Sequence, residues 1–433
     1  MKFRWETEFK ETEIGEIPKD WEVKKIIEIG EIGGGSTPST KVKDYWDGDI
    51  PWITPKDLAN HNSRFISCGE RNITRKAVIE NSLRLYPKGT VLLTSRAPIG
   101  YVAIAKNPVT TNQGFKNIIP NDGTNSEFLY YLLTNISRYL KDISGGSTFE
   151  ELTKETLKDV LIPFPPLPEQ SRIATVLSWF DDLIEVKKKQ NEILEKTAMA
   201  IFKSWFVDFE PFRDGEFVYN EELGREIPKG WEVKRLGEMA EILRGISFGS
   251  EEASFEYLYN YVPILRANNV KLDKTIDYSD LIFIPKSKIS NQKFLKELDI
   301  VLVASNGNPE LVGNFAVFVN CNLYDQISFG AFMYLIRIEK HFPFLFCVLN
   351  SEYFKEFLAS VVTGTNISNL KKSDLESFVF LFPAYVVLEK FHSFVEPLFQ
   401  KIILNQKQIM TLRKIRDTLL PLLVFGKLRV EEL

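Results

Sequence analysis

With 433 residues, 44% hydrophobic and 13% aromatic, the chain has room for two to four domains with real cores, which excludes a disordered tail. A formal net charge of −4 supplies no overall basic field, so any nucleic-acid contact has to be local. The three cysteines (Cys68, Cys321 and Cys347), a start that runs into acidic residues, and the lack of any apolar run of about 18 residues predict a soluble protein of the reducing cytoplasm without membrane contact.

Near the start, Glu-Ile-Pro-Lys-Asp-Trp-Glu-Val-Lys at 16–24 is nearly repeated as Glu-Ile-Pro-Lys-Gly-Trp-Glu-Val-Lys at 226–234. Residues 21–145 read as short β-rich runs broken by Gly and Pro, such as 89–95 and 99–105, with a helix near Glu127–Leu140. The run Gly33-Gly34-Gly35-Ser36 lacks the later glycine of a phosphate loop and reads as a loop or hairpin between strands. At Ser144-Gly145-Gly146-Ser147-Thr148 the globule ends, where Ser147 or Thr148 could cap a short helix with Glu150 or Glu151 as the reciprocal acid. Ile162-Pro-Phe-Pro-Pro-Leu-Pro168 is too proline-rich for either regular element and predicts a stiff connector.

After Pro168 the period changes. Ile173, Leu177, Phe180, Ile184, Lys187, Asn191, Leu194, Ala198, Ile201 and Trp205 fall at spacings of three and four, the stripe of a long helix meeting another helix. The positions 218 later give the same stripe from Phe391 to Leu423 with one charged lapse, Arg416. Each helix would run about 37 residues, roughly 55 Å, with Pro397 kinking or delaying the second. Polar residues sit at matching mid-helix places, Lys187, Gln190 and Asn191 against Asn405 and Gln408, and read either as register-fixing or as a solvent face. Gly146 and Leu152 correspond to Gly364 and Leu370 at an offset of 218, against 210 for the tryptophan motif, so the second copy is longer by 218 − 210 = 8 residues and its contents are barely alike. Duplicated domains with variable inserts account for this, in a pseudo-twofold order of globule, helix, globule, helix.

An enzyme's constellation is missing. There is no Gly-x-x-x-x-Gly-Lys-Ser/Thr, and His61, His341 and His392 form no metal-ligand spacing with the cysteines. Asp20, Glu22 and Lys24 resemble the acid-x-Lys pattern of nucleases, but Gly230 replaces the aspartate in the second copy. Pro163-Phe-Pro-Pro lacks the leading Asn or Asp of an amino-methyltransferase loop. A binding surface remains. From Lys41 to Lys116 there are twelve Lys/Arg against six acids, an excess that suits phosphate contact. Just before or among them lie Ser36, Thr37, Ser39, Trp52, Lys56, Arg96, Asn112 and Gln113, mostly side-chain types that pair with base edges, and these are the candidate DNA-binding residues of the first copy. The second copy offers Arg244, Ser247, Arg266, Asn268, Asn269, Asn306 and Asn308, with little charge surplus.

The chain resembles the DNA-specificity subunit of type I restriction-modification systems. The twin Ile-Pro-Lys-x-Trp-Glu-Val openings carry the resemblance, with Gly34-Gly-Ser-Thr-Pro38, Tyr45-Trp46, Ile50-Pro-Trp-Ile-Thr54, Arg96-Ala-Pro-Ile-Gly-Tyr101, Thr111-Asn-Gln-Gly114, Ser144-Gly-Gly-Ser-Thr-Phe149 and the 162–170 stretch ending Glu-Gln. The second half departs in detail, with Phe382-Pro-Ala-Tyr-Val in place of the proline-rich connector and no Glu-Gln after it. The resemblance implies an α+β fold of two α/β target-recognition globules, 1–150 and 211–366, separated by two long antiparallel helices in a coiled coil, within conserved regions 151–210 and 367–433. It implies that each globule reads one half of a bipartite asymmetric site on double-stranded DNA. It also implies that the helices, with Lys187, Asn191, Asn405 and Gln408 as candidates, dock two methyltransferase subunits, with restriction subunits joining them. S-adenosylmethionine, ATP and Mg would bind those partners and none would bind this non-catalytic chain. The alternatives are a self-contained DNA methyltransferase or nuclease, and a duplicated protein-binding adaptor.

Overall fold

The structure, a computed structural model, describes residues 2–59, 61, 63–96, 98–145, 150–320, 323–362 and 368–433. The chain divides into two compact units, one formed by Met1–Val186 with Leu412–Leu433 and the other by Lys187–Thr411.

In the first unit a five-stranded sheet has the order Gly30–Gly34, Phe115–Pro120, Val91–Ser95, Ile99–Ala105, Phe65–Ile66. A three-stranded sheet sets Trp46–Ile53 between Thr110–Thr111, which runs parallel to it, and Arg71–Ile73. Val91, Leu93, Ile104 and Ile118 turn inward against Phe128, Leu129 and Leu132, the apolar face of the helix Ser126–Asn135, in one buried cluster. The helical stretch expected near Glu127–Leu140 is two helices, Ser126–Asn135 and Ser137–Asp142.

The second unit repeats this topology with one strand fewer, there being no counterpart of Phe65–Ile66 in its main sheet. Glu241–Arg244, Met333–Arg337, Ile300–Val303 and Phe315–Val317 form one sheet, and Ile282–Pro285, Tyr261–Leu265 and Ser328–Phe329 the other, again with one parallel pair. The repetition extends to single hydrogen bonds. Ser95 N–H donates to the Gly114 carbonyl and Leu152 N–H to Ser95, as Ala304 N–H donates to Phe332 and Leu370 N–H to Ala304.

Two expectations are corrected. The proline-rich stretch is not an irregular connector. Leu161–Phe164 is a strand paired with Glu22–Lys25, and the helix begins at Leu167. Pro163 is tolerated because the sheet has two strands only, so its missing N–H faces no neighbour. Pro397 does not delay the second long helix, which runs unbroken over Tyr385–Val424, 40 residues like Leu167–Phe206. The carbonyl four residues earlier, on Ser393, lies on an exposed stretch where water can take the lost bond. The expected cap at Ser147 or Thr148, and the match of Gly146 with Gly364, lie outside the described residues. A short helix does follow, Lys154–Lys158, capped by the Thr153 hydroxyl.

Both long helices contribute to both units, and within each unit they pair antiparallel. In the second unit Asn405, fully buried, donates to Asn191 Oδ1 at 2.8 Å and Gln190 Oε1 at 3.3 Å, Asn191 donates to the Ile402 carbonyl at 3.3 Å, and Lys187 donates to Gln408 at 2.6 Å. Asn405 lies inside the seam while Gln190 stays exposed, so the lapse at Asn405 is not part of a solvent face.

Each unit is anchored differently to its helix pair. In the first, Arg429 places its guanidinium on Glu169 (2.5 and 2.6 Å), Glu6 (2.5 Å) and Asp20 (2.8 and 3.0 Å), and the Trp21 indole N–H donates to Glu169 at 3.0 Å. A second cluster puts Arg64 on Asp182 (2.9 Å) and Glu127 (3.3 Å), while Asp181 accepts from Arg416 (2.5 Å) and Tyr131 (2.6 Å). In the second unit the corresponding ground is aromatic. Phe206 sits 4.9 Å from Phe391 and 5.7 Å from Trp231, and Phe399 packs 5.1 Å from Phe346, ring centre to ring centre.

Candidate nucleic-acid interface

The first-unit candidates come from four loops that the backbone ties into one rim. Ser36 N–H donates to the Thr111 carbonyl at 3.0 Å, Asn112 N–H to Ile53 at 3.0 Å, and Ser95 N–H to Gly114 at 2.8 Å, which brings residues 36–39, 54–56, 96 and 112–114 together. Gly35 is needed where the first two strands of chain cross, because a Cβ there would run into the carbonyl oxygens of Thr111 and Asn112. Gly245 meets the carbonyls of Phe329 and Gly330 in the same way. Thr37 donates its hydroxyl to Gln113 Oε1 at 2.5 Å, so the tips of two loops act as one exposed polar pair. Asn112 Oδ1 accepts from Gly114 N–H at 2.9 Å and shapes its own turn. Ser39 is exposed, and its carbonyl accepts from the Trp46 indole at 3.2 Å. Lys56, exposed, pairs with Glu70 at 2.9 Å, and Arg96, half-buried, makes no ion pair among the described residues.

Trp52 does not face outward. It is 7% exposed, stands edge-on to Trp46 with ring centres 5.1 Å apart, and donates its indole N–H to the Ser36 carbonyl at 3.1 Å. Its part is to hold the reading loop from beneath. The register explains why: Trp52 lies opposite Thr110 as Ile264 lies opposite Ser328, a core position in both units.

In the second unit Arg244 and Ser247 are exposed at the same loop, and Arg244 Nε donates to the Ala331 carbonyl at 3.3 Å. Arg266 and Asn268 turn to Asp280, at 2.8 and 3.0 Å, so that guanidinium is already neutralised. Asn269 is 1% exposed and closes the turn, accepting from Arg266 N–H at 2.7 Å and donating to the carbonyls of Asp277 and Asp280. It is a fold residue, and Asp57 does the same work in the first unit by accepting from Thr54 N–H at 2.7 Å. Asn306 and Asn308 shape their turn through bonds to the amides of Asn308 and Glu310.

The rims therefore match in backbone and differ in side chains. Arg96 gives way to Ser305, Asn112 and Gln113 to Gly330 and Ala331, and Gly114 to Phe332, which is 63% exposed. Choosing residues by polarity misses Phe332, whereas aligning Phe115 with Met333 at the 218 offset finds it. The helix candidates Lys187, Asn191, Asn405 and Gln408 bond to one another within the seam, so their side chains are largely committed there. Among the described residues no group of three or more His, Cys, Asp or Glu is placed to hold a metal ion, and no helix is long and apolar enough to cross a membrane.

Comparison with known proteins follows the duplication. The family model described as Type I restriction modification DNA specificity domain matches the chain twice, at residues 18–196 and 228–414. Over 100% of this chain the sequence is 57% identical to the type I restriction enzyme MjaIX specificity subunit of Methanocaldococcus jannaschii, covering 99% of that protein. It is 28% identical to the MjaVIII specificity subunit of the same organism with the same coverage. A solved type I restriction-modification S subunit from M. genitalium shares the fold, with a TM-score of 0.50 at 20% identity over 93% of this chain and 96% of that one.

Proposed function

The chain belongs to the type I restriction-modification DNA specificity family, and from that premise we propose that it is the DNA-sequence-recognition subunit of such a system, each unit reading one half of a bipartite, asymmetric site. The observation that carries the reading is a rim reproduced in both units down to single backbone hydrogen bonds yet lined by unlike side chains. A repeated frame with different contents reads two different half-sites. In the first rim Thr37, Gln113, Asn112 and Arg96 offer donors and acceptors for base edges, with Lys56 and the local excess of cations serving phosphates. In the second, Ser247 stands where Thr37 does, and Arg244, in the place of Gly34, adds a cation.

The chain itself does no chemistry in this reading. Two methyltransferase subunits bring S-adenosylmethionine and reach an adenine by flipping it out of the duplex, and restriction subunits with ATP and Mg join them. The docking ground is the outward side of the first long helix within the first unit, where Trp179, Leu183 and Val186 stay exposed at spacings of four and three, as a stripe awaiting a partner helix would. Two rims, one in each unit, support a target of two half-sites. The test is to exchange residues 21–146 for the matching stretch of another family member and map the methylated sites. One half of the target changes and the other stays; if both changed, or neither, the modular reading would be wrong.

A further inference from the structure

The two rims use different chemistry as well as different residues. At the tip of the first, Gln113 presents an amide and Gly114 no side chain. At the tip of the second, Ala331 presents no polar group and Phe332 presents a ring that is 63% exposed. That ring stands on a fixed base, since the Phe332 carbonyl accepts from the amides of Ala304 (2.8 Å) and Ser305 (3.2 Å). Arg244, which replaces Gly34, donates to the Ala331 carbonyl at 3.3 Å, so the guanidinium is held against the backbone of the residue that precedes the ring. Single exposed aromatics are ordinary on a protein surface, and Phe255 and Tyr259 are more exposed still; what singles out Phe332 is its place on the rim, where the first unit has Gly114. Deepening the reading above, on which it rests, we infer that Phe332 is a specificity-determining residue of the second unit, contacting the C5-methyl group of a thymine in the major groove while Arg244 contacts the neighbouring phosphate or guanine. Among base-pair features the thymine methyl is the apolar one, and an aromatic side chain can discriminate it without a hydrogen bond.

The test uses the full chain assembled with its methyltransferase partners, S-adenosylmethionine, and duplexes carrying the mapped target with each thymine replaced in turn by uracil, which lacks the methyl. The wild-type complex slows by about fourfold at one thymine of one half-site, the factor expected for one methyl-sized group leaving an apolar contact. Phe332→Ala slows to a similar extent on the unmodified duplex and no longer distinguishes thymine from uracil there, while Phe332→Leu keeps part of the preference. Thermal melting of both variants stays at the wild-type value because the ring is exposed. The inference is overturned if no uracil slows the wild type, or if Phe332→Ala keeps the wild-type thymine-to-uracil ratio at every position. A wild-type complex that methylates without sequence preference would instead overturn the reading beneath it.

Discussion

The two units share a backbone frame but hold it by opposite means. Where the first buries Glu169 against Arg429 and Trp21, with Asp20 on the same guanidinium, the second has Val387 at the position 218 further on from Glu169, Gly230 at the position matching Asp20, and Phe206, Phe209 and Phe212 around Trp231. Where the first pairs Asp181 with Arg416, the second places Phe399 and Ala198 together in its core. These replacements occur together, as they must. A buried carboxylate without its guanidinium is costly, whereas apolar packing of similar volume serves equally well. The comparison teaches that the duplicated feature is geometry, and that the chemistry filling it is free to change if it changes as a set.

The largest effects separate the two anchors. Arg429→Met removes the cation that three carboxylates share and destabilises the first unit by about 3–5 kcal/mol. Hydrogen exchange should lose protection over residues 16–25 and keep it over 226–235; equal loss in both segments would show that the clusters are not unit-specific. Phe391→Ala, by opening a cavity beside Phe206 and Phe344, costs about 3–5 kcal/mol with the reverse pattern of protection.

A smaller effect tests whether the replacements form a set. Arg416→Ala leaves Asp181 with Tyr131 and Arg64 and costs about 1–3 kcal/mol. Adding Asp181→Phe, which reproduces the second unit's pair, recovers part of that loss in denaturant titration. A double variant worse than the sum of the two single ones would contradict the equivalence.

The smallest effect is on acid stability. Burial alone would raise the Glu6 carboxyl, but the amides of Glu8 and Thr7 and the guanidiniums of Arg429 and Arg4 outweigh it and lower it from 4.5 to about 2. With the folded value below the unfolded one, its contribution is full above about pH 4.5 and is lost as pH falls towards 2. Glu6→Gln flattens the first unit's stability profile across that window, and an unchanged slope would remove Glu6 from the clasp.

Much of the frame was legible in the sequence because it rests on periodicity and repetition. The stripe from Ile173 to Trp205 needs only a 3.6-residue period, and Gly35 and Gly245 recur because no Cβ fits where two loops cross. The site was less legible because residue type does not report facing. Trp52 and Asn269 have the side chains of a DNA reader, yet strand register buries the first and a turn consumes the second. Pro163 argued against a strand, and only the partner Glu22–Lys25, about 140 residues away, makes it one. Phe332 was hidden because a search for polar readers passes over an aromatic ring.

The account is tested most directly by long-read mapping of modified adenines in cells that carry this chain with its methyltransferase partners. Two unlike readers in a repeated frame predict one asymmetric motif of two different half-sites separated by a fixed gap of unspecified bases. A single continuous motif, or two identical half-sites, would contradict it.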